Sequence, residues 1–482
     1  SSEKAKLESS HLQLEYDLGK GTASLHTSKG VPLLLNATAA AVFPRGYALA
    51  SDTNYTRKSH LETSRDSGIE GDRLVVACID ATRSLNLEHR VTLLRDRPGA
   101  IFEIILTNTS KKDLLIRQAE PLRALLDERA GCFFGAENQY TRVRKALTHG
   151  YLYYDPGELL DFGWRAHRDF TSYWNAAFYI PDSQETLVVG FLENRQAEGH
   201  IAARWDMTRE WNDGRSAFNL SARALYNRYF VVPPGSSVSS GKLLLLLSPE
   251  PFSGLEYYAE TYGRLHKVRL NPVINGWCSW FYTHTSATEE EQLKNAEFIA
   301  QHLKPYGMEW VQIDDGYQRA FGDWEGNQLY PHGMKWLAGK IRGLGLKAGL
   351  WVAPTVISEN TEIAQKHQDW LVHDAQGNVQ KVMSDRAKYA LDITHPEARA
   401  WVRDLFKTIC EDWGYDFIKI DFVEWTALAA ERYHDPTLGK AGAYRLLFQT
   451  LREAMGPSRH LLDCGPGPET VGLLDSLRIE LD

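Results

Sequence analysis

Phe417-Ile418-Lys419-Ile420-Asp421-Phe422 reads as a short buried strand that ends in a carboxylate. Side chains alternate along a strand, so Lys419 and Asp421 share one face while Ile418 and Ile420 share the other. In a parallel barrel one face of each strand packs against helices and the other lines the axis. An ionised pair is costly against the helices. Lys419 and Asp421 are therefore expected to point inward, with Asp421 at the C-terminal mouth. The plainer alternative is a strand-end aspartate that caps the following helix.

Outward from this strand, the second half of the chain alternates strand and helix, the signature of a parallel α/β domain. Strand one is read over 273–280 and strand two over 308–314. A helix starts near Thr288, where Glu289, Glu290 and Glu291 suit a helix N-terminus. A helix over 333–344 leads to strand three, 346–353, which Pro354 ends. His395-Pro396 looks like a helix start, with the helix over 397–413 leading into the opening strand. A helix over 440–455 leads to strand five, 460–464. A short helix over 468–474 precedes strand six, 477–482, where the sequence stops. A closed (β/α)8 barrel needs two further strands. The expectation is a barrel cut short after its sixth strand, because a charged strand tip leaves the sheet edge unsealed. The glycine-rich stretch 339–349 lacks phosphate-loop spacing and reads as a helix end and turn. Asp323, Trp324 and His332 follow strand two and serve either loop packing or a substrate contact.

The first 250 residues read differently. Apolar or alternating runs recur between turn residues, as in Leu12-Gln13-Leu14-Glu15-Tyr16 and Ala100-Ile101-Phe102-Glu103-Ile104-Ile105-Leu106. They predict a large antiparallel β-sandwich. The expected domains are thus a sandwich over 1–250, a linker helix over 251–272 and a barrel over 273–482. Residues 151–174 are rich in aromatics and form either a loop reaching a sugar site or a packed contact between domains.

Composition sets bounds. The 482 residues are 43% hydrophobic, enough for two or three domains, and the net charge is −8. With no basic stripe, nucleic acid and anionic membrane are not expected as partners. No apolar run approaches the roughly 20 residues that span a bilayer. The start lacks a signal-type apolar core. Five scattered cysteines, at 78, 132, 278, 410 and 464, support neither a disulfide framework nor a zinc site. A reducing, cytoplasmic setting is expected. Four sequons, at Asn36, Asn54, Asn108 and Asn219, are the number chance allows in such a chain.

Three inferred strand ends carry acids: Asp314 with Asp315, Asp421, and Asp482. Trp280 and Trp351 end or line two strands of the same mouth. Carboxylates accept hydrogen bonds from sugar hydroxyls, and indole faces stack on apolar C–H surfaces. Asp421 and Asp482 lie two strands apart, which lets two carboxyls flank one glycosidic bond.

Five motifs in series, Gly276-Trp277-Cys278-Ser279-Trp280, Gln312-Ile313-Asp314-Asp315-Gly316, Gly349-Leu350-Trp351-Val352-Ala353-Pro354, Lys419-Ile420-Asp421-Phe422 and Arg478-Ile479-Glu480-Leu481-Asp482, resemble glycoside hydrolase family 36, the retaining α-galactosidases. The resemblance covers about residues 270–482. It implies an N-terminal β-supersandwich followed by a (β/α)8 barrel. It implies Asp421 as nucleophile and Asp482 as general acid/base. Asp314 and Asp315 would bind the 4- and 6-hydroxyls of galactose, Lys419 the ring hydroxyls, and Trp351 would shape the pocket. Trp280 and Phe281 match an aromatic pair at the rim. Cys464 and Gly465 match the loop facing the 2-hydroxyl, and Arg478 would contact that region or orient Asp482. Glu480 alternates onto the face of Arg478 and Asp482; an ion pair with Arg478 suits it, and Asp482 lies nearer the mouth. The loop after Cys464 reads Gly465-Pro466-Gly467-Pro468, where many relatives carry Ser-Gly-Gly-Gly, and Cys464 leaves little room for an acetamido group.

The implied function is an exo-acting α-galactosidase working by double displacement on α-galactoside oligosaccharides, with no metal or organic cofactor. Relatives of this kind are often oligomers. The alternatives are a raffinose- or stachyose-synthase-like transglycosylase, an α-N-acetylgalactosaminidase, and a sugar-binding protein without turnover.

Overall fold

The structure is a computed structural model. It describes residues 3–66, 68–80, 82, 84–125, 131–132, 145–150, 157–161, 167–180, 184–206, 218–382, 389–423, 430–465 and 467–478. The chain divides into two compact units, Ser1–Lys267 and Val268–Asp482.

The first unit is built on two ten-stranded antiparallel sheets. One runs in the order Lys4–Glu8, Leu12–Asp17, Thr22–Thr27, Pro32–Val42, Gln118–Ala124, Phe218–Leu225, Glu198–Asp206, His167–Tyr173. The other has Leu243–Ser248 and Gly99–Asn108 at its centre and Tyr55–Asp66 at one edge. Alternation does the sorting. In Leu85–Leu94 every second residue of the first six is buried, as expected when one face meets a core and the other meets water. Leu14, Leu34 and Leu122 of the first sheet share one apolar core with Val91, Phe102 and Leu245 of the second. This is the sandwich read from the sequence.

Helix α1, Pro251–Leu265, closes this unit. Glu250 caps it, its carboxylate accepting from the amides of Phe252 and Ser253 at 3.0 and 2.7 Å. The tyrosine hydroxyl of Tyr258 donates to the carbonyl of Phe191. Trp174 lies edge-on to Tyr258 and Tyr262. Of the described aromatics in 151–174, Trp174 packs against this helix, Tyr173 against His200 and Phe170 against Phe178; Tyr151, Tyr153, Tyr154, Phe162 and Trp164 lie outside the described residues.

The second unit carries six parallel strands in sequence order: β1 Gly276–Cys278, β2 Trp310–Ile313, β3 Lys347–Val352, β4 Phe417–Ile420, β5 His460–Asp463 and β6 Ser476–Leu477. Helices α2 Glu289–Phe298, α3 Met334–Gly343, α4 Pro396–Lys407 and α5 Lys440–Met455 connect them. α2 begins in a capping box, with the Thr288 hydroxyl accepting from the Glu291 amide and the Glu291 carboxylate accepting from the Thr288 amide. Pro396 sits at the first position of α4. The glycine-rich segment 339–349 is the end of α3, a turn in which Gly345 takes a left-handed φ of 74°, and the first residues of β3. No helix among the described residues is long and apolar enough to cross a membrane.

Three local readings are corrected. Strand one is shorter than 273–280: Val273 is 93% exposed, and Ser279 already has helical angles, so Trp280 starts a single helical turn, Trp280–Thr283. The helix expected over 397–413 ends at Lys407 and continues as a π-helical turn, Thr408–Asp412. Residues 468–474 form turns, not a helix. Gly467 and Gly472 take left-handed φ values of 104° and 88°, which break any helical run. The last four residues, 479–482, lie outside the described residues.

Candidate active site

The site lies at the C-terminal ends of the parallel strands. Pairing sets Trp351 level with Lys419, and Ile420 level with Asp463. Ile418 and Ile420 are fully buried on the helix side, leaving Lys419 on the other face. Lys419 is 8% exposed and Asp421 5%, so both charges are held almost entirely by protein groups.

Lys419 reaches Asp314 rather than Asp421: its Nζ lies 3.0 Å from Asp314 Oδ2. Asp314 is gripped from several directions. Its Oδ2 also accepts from Gln312 Nε2 at 2.6 Å and from the Cys278 thiol at 3.3 Å. Its Oδ1 accepts from the Asp315 amide at 2.9 Å, and its own amide donates to Ser279 Oγ at 3.0 Å. Asp315 Oδ1 accepts from Gln318 Nε2 at 2.7 Å. Burial alone would lower the Lys419 ammonium, but the charge of Asp314, with Cys464, Cys278 and Asp421 behind it, raises it above its ordinary value. Burial and the neighbouring Asp314 push the Cys278 thiol up to about 12. Lys419 therefore stays a cation and Cys278 a neutral donor.

Asp421 is fixed at both oxygens. Trp351 Nε1 donates to Oδ2 at 3.1 Å. The amide of Phe422 donates to Oδ1 at 3.0 Å, and Arg478 Nη2 lies 3.6 Å from the same oxygen. Phe422 takes φ 56°, a left-handed backbone that a bulky side chain rarely adopts. Such strain costs roughly 1–3 kcal/mol and persists where packing over-determines it. Here the Phe422 ring lies edge-on to Trp351 and Phe321. The Asp421 carboxyl is nevertheless raised above its ordinary value: burial pushes it up, and Arg478, Lys419 and the Trp351 and Phe422 hydrogen bonds offset that only in part.

Trp351 is 1% exposed, so its indole acts here through an edge and a hydrogen bond, not through an open face. Trp280 lies past the end of β1, edge-on to His284 at 5.0 Å, and Phe281 is 68% exposed. Cys464 is fully buried at the end of β5, and its thiol is raised by burial. Gly465 has no room for a side chain: a Cβ there would stand 2.0 Å from the Tyr444 hydroxyl. Asp482 and Glu480 lie outside the described residues. Asp323 and Trp324 fall in a small hairpin, with Trp324 buried in the core, while His332 Nδ1 pairs with Glu289 at 2.5 Å. Packing accounts for Trp324, and the hydrogen bond with Glu289 for His332. A crevice of about 560 Å3 elsewhere on this unit is lined by Arg319, Trp324, Trp401 and Trp413 and by none of Asp314, Asp315 or Asp421.

Sequence reasoning missed Gln312, Gln318 and Cys278 as partners of the acid pair, and Phe422 as an amide donor. Gln312 and Cys278 stood inside quoted motifs; alternation already puts Gln312 on the face of Asp314, but only the strand pairing puts Cys278 beside it. Among the described residues no three His, Cys, Asp or Glu side chains converge as metal ligands.

Fold and site define a barrel protein with an enzyme-type mouth, ionised groups and indoles gathered where parallel strands end. Comparisons narrow that class. Residues 258–452 match the Melibiase family model. α-Galactosidase AgaA of Geobacillus stearothermophilus is 31% identical over 162 residues, 30% of this chain and 21% of that protein. An α-galactosidase of Escherichia coli is 27% identical over 170 residues, 33% of this chain and 22% of that protein. The matched stretch thus spans about a fifth of the length of these curated relatives. Among solved structures, the α-galactosidase TtGalA of Thermus thermophilus, in complex with p-nitrophenyl α-D-galactopyranoside, superposes with a TM-score of 0.55 at 25% identity, over 82% of this chain and 74% of that one. The family 36 α-galactosidase AgaA superposes with a TM-score of 0.67 at 15% identity, over 99% of this chain and 75% of that one; that likeness is one of fold. The resemblance to glycoside hydrolase family 36 read from the motifs is shown by these matches.

Proposed function

We propose that this chain carries the catalytic unit of a glycoside hydrolase that removes terminal α-linked galactose from oligosaccharides by double displacement. The observation that supports it most is the state of Asp421: a buried carboxylate, clamped at both oxygens, at a parallel-strand end with the Arg478 guanidinium 3.6 Å away. A nucleophile needs an aimed oxygen and an ionised carboxylate: Trp351 and the Phe422 amide hold the oxygens, and the charges of Arg478 and Lys419 favour ionisation. Asp421 attacks the anomeric carbon, the bond to the leaving oxygen breaks, and Asp482 gives that oxygen its proton. A covalent galactosyl-enzyme forms. Asp482, now a base, takes a proton from water, and the water oxygen displaces Asp421. The role of Asp482 rests on its match to the family motif.

The acid-rich mouth suits this chemistry. Positive charge develops at the anomeric carbon, and fixed carboxylates stabilise it without reorganising. Asp314 and Asp315, held by Lys419, Gln312 and Gln318, accept from the 4- and 6-hydroxyls of galactose in this reading. Lys419 donates to ring hydroxyls, Trp351 walls the pocket, and Trp280 and Phe281 form its rim. Cys464 and Gly465 face the 2-hydroxyl in this reading, and the Cys464 side chain favours galactose over its 2-acetamido relative. The relatives support the substrate class: TtGalA has been solved with stachyose, and AgaA with raffinose.

The test is an assay of the full-length protein on the 4-nitrophenyl α-glycosides of galactose, N-acetylgalactosamine and glucose, with the first-formed anomer read by NMR. Release from the galactoside alone, with α-galactose as first product, is expected. First-formed β-galactose would overturn double displacement. Preference for the acetamido sugar would overturn the substrate. Transfer to a sugar acceptor exceeding hydrolysis would make the protein a transglycosylase. Sugar binding with no turnover of any substrate would overturn the enzyme reading.

A further inference from the structure

Asp463 takes no part in the chemistry above, yet it stands at the mouth with no exposed surface. It ends β5, one strand from Asp421, and pairs with Ile420, the residue before Asp421. Nothing in the sequence marked it, since it sat inside the run leading to Cys464.

Its side chain is a hub for the loop that follows. Oδ1 accepts from the Gly465 amide at 2.8 Å and Oδ2 from the Thr470 hydroxyl at 2.9 Å. The Tyr444 hydroxyl, reaching over from α5, lies 2.6 Å from Oδ2 and 2.8 Å from Oδ1. Three donors on one buried carboxylate fix the start and the middle of the loop and tie both to a helix. The main chain does the rest. The Asp463 carbonyl accepts from the Arg478 amide at 2.9 Å, and Arg478 is the residue whose guanidinium faces Asp421 at 3.6 Å. One residue thus sets both walls of the mouth next to Asp421: the Cys464–Gly465 turn through its side chain and Arg478 through its backbone. A surface carboxylate could not hold the turn in this way, because water would compete for each donor. Burial pushes the Asp463 carboxyl up to about 6, against the pull of the Tyr444, Gly465 and Thr470 donors. That cost marks a carboxylate kept for what it holds, since an apolar residue there would be easier to bury.

We propose that Asp463 is a positioning residue of the glycosidase reaction, holding the Cys464–Thr470 loop and, through it, the approach of the sugar to Asp421. This rests on the hydrolase reading above, so the test has one readout within that reading and one outside it. In the full-length protein, Asp463→Asn keeps the shape and one acceptor oxygen, and Asp463→Ala removes both. On 4-nitrophenyl α-galactoside, Asp463→Ala should lose ~10²-fold in kcat, the scale of a misplaced reacting group, with KM changed far less. Asp463→Asn should recover part of that loss. Independently, hydrogen exchange at the amides of Gly465 and Thr470 should quicken in both variants, and Tyr444→Phe and Thr470→Val, each removing one donor, should quicken it to a smaller degree. If either Asp463 variant fails to fold, the two donor variants carry both readouts. Unchanged exchange in the loop overturns the proposal whatever the kinetics. Quickened exchange with kcat untouched overturns it too, because Asp463 would then be structural only. If the parent protein turns over no galactoside, the hydrolase reading falls and the positioning role falls with it; quickened exchange would then mark Asp463 as a fold residue alone.

Discussion

Asp80 in the sandwich unit and Asp421 in the barrel unit are both buried aspartates, 4% and 5% exposed, but their carboxyls are displaced in opposite directions. Burial raises each. Around Asp80 the local turn outweighs it: the hydroxyls of Ser84 and Thr82 and the amides of Thr82 and Leu85 all donate to the carboxylate, and the carboxyl ends well below its ordinary value. Asp421 receives one indole, one amide and a guanidinium at 3.6 Å, and its carboxyl stays raised. Asp80 takes its donors largely from its own loop, and together they outweigh burial. Asp421 takes fewer, drawn from β3, β4 and the end of β6, and stays raised. Between these two aspartates, the number of donors sets the direction of the shift.

The contrast can be broken at several points. The largest effect is expected at Asp421 itself. Asp421→Ala should lower kcat on 4-nitrophenyl α-galactoside by on the order of 10⁶-fold, the scale seen when a nucleophile is removed. The same change at Asp80 should leave kcat of the folded protein unaltered.

Lys419→Met comes next. It leaves Asp314 buried without its cation, and losing one partner of a buried pair costs about 3–5 kcal/mol. Urea or thermal unfolding should show that loss, and activity should fall with it. Unchanged stability would mean that Gln312, Cys278 and the Asp315 amide suffice for Asp314.

Arg478→Gln sharpens the comparison by pH. Activity needs Asp421 ionised, so it falls as pH drops through the raised carboxyl value. Arg478 opposes the rise. Without it the carboxyl moves higher still, and the acid limb of the kcat/KM profile should shift toward higher pH. A shift toward lower pH would contradict the electrostatic role given to Arg478.

The smallest effect is at Asp80→Asn, where a fall in stability of about 1–3 kcal/mol is expected from unsatisfied donors. Because the folded carboxyl lies below its unfolded value, the stabilising contribution is present above the unfolded value and is lost as pH falls through the folded one. The gap between wild type and variant should therefore narrow in acid.

Much of this was legible in the residues. Alternation and turn chemistry carry the sandwich, and the Ile418–Ile420 and Lys419–Asp421 alternation carries the parallel strand. α5 runs over 440–455 as its apolar spacing requires. What failed is local. Residues 273–275 are apolar enough for a strand, but pairing with β2 starts at Gly276. The run 468–474 opens with Pro468 and Glu469 like a helix start, yet two left-handed glycines flank and break it. At the site, the motifs announced each acid but not its partner. Lys419 pairs with Asp314 across 105 residues rather than with Asp421 two positions on. Cys278 and Asp463 acquire meaning only once neighbouring strands are in register.

The most direct test of the account is chemical rescue of Asp421→Ala with azide in the full-length protein. If Asp421 is the nucleophile of a double displacement, azide enters the space it leaves and attacks from the same face, so β-galactosyl azide accumulates from 4-nitrophenyl α-galactoside. A variant that retains wild-type turnover, or that yields α-galactosyl azide instead, would contradict the assignment of Asp421.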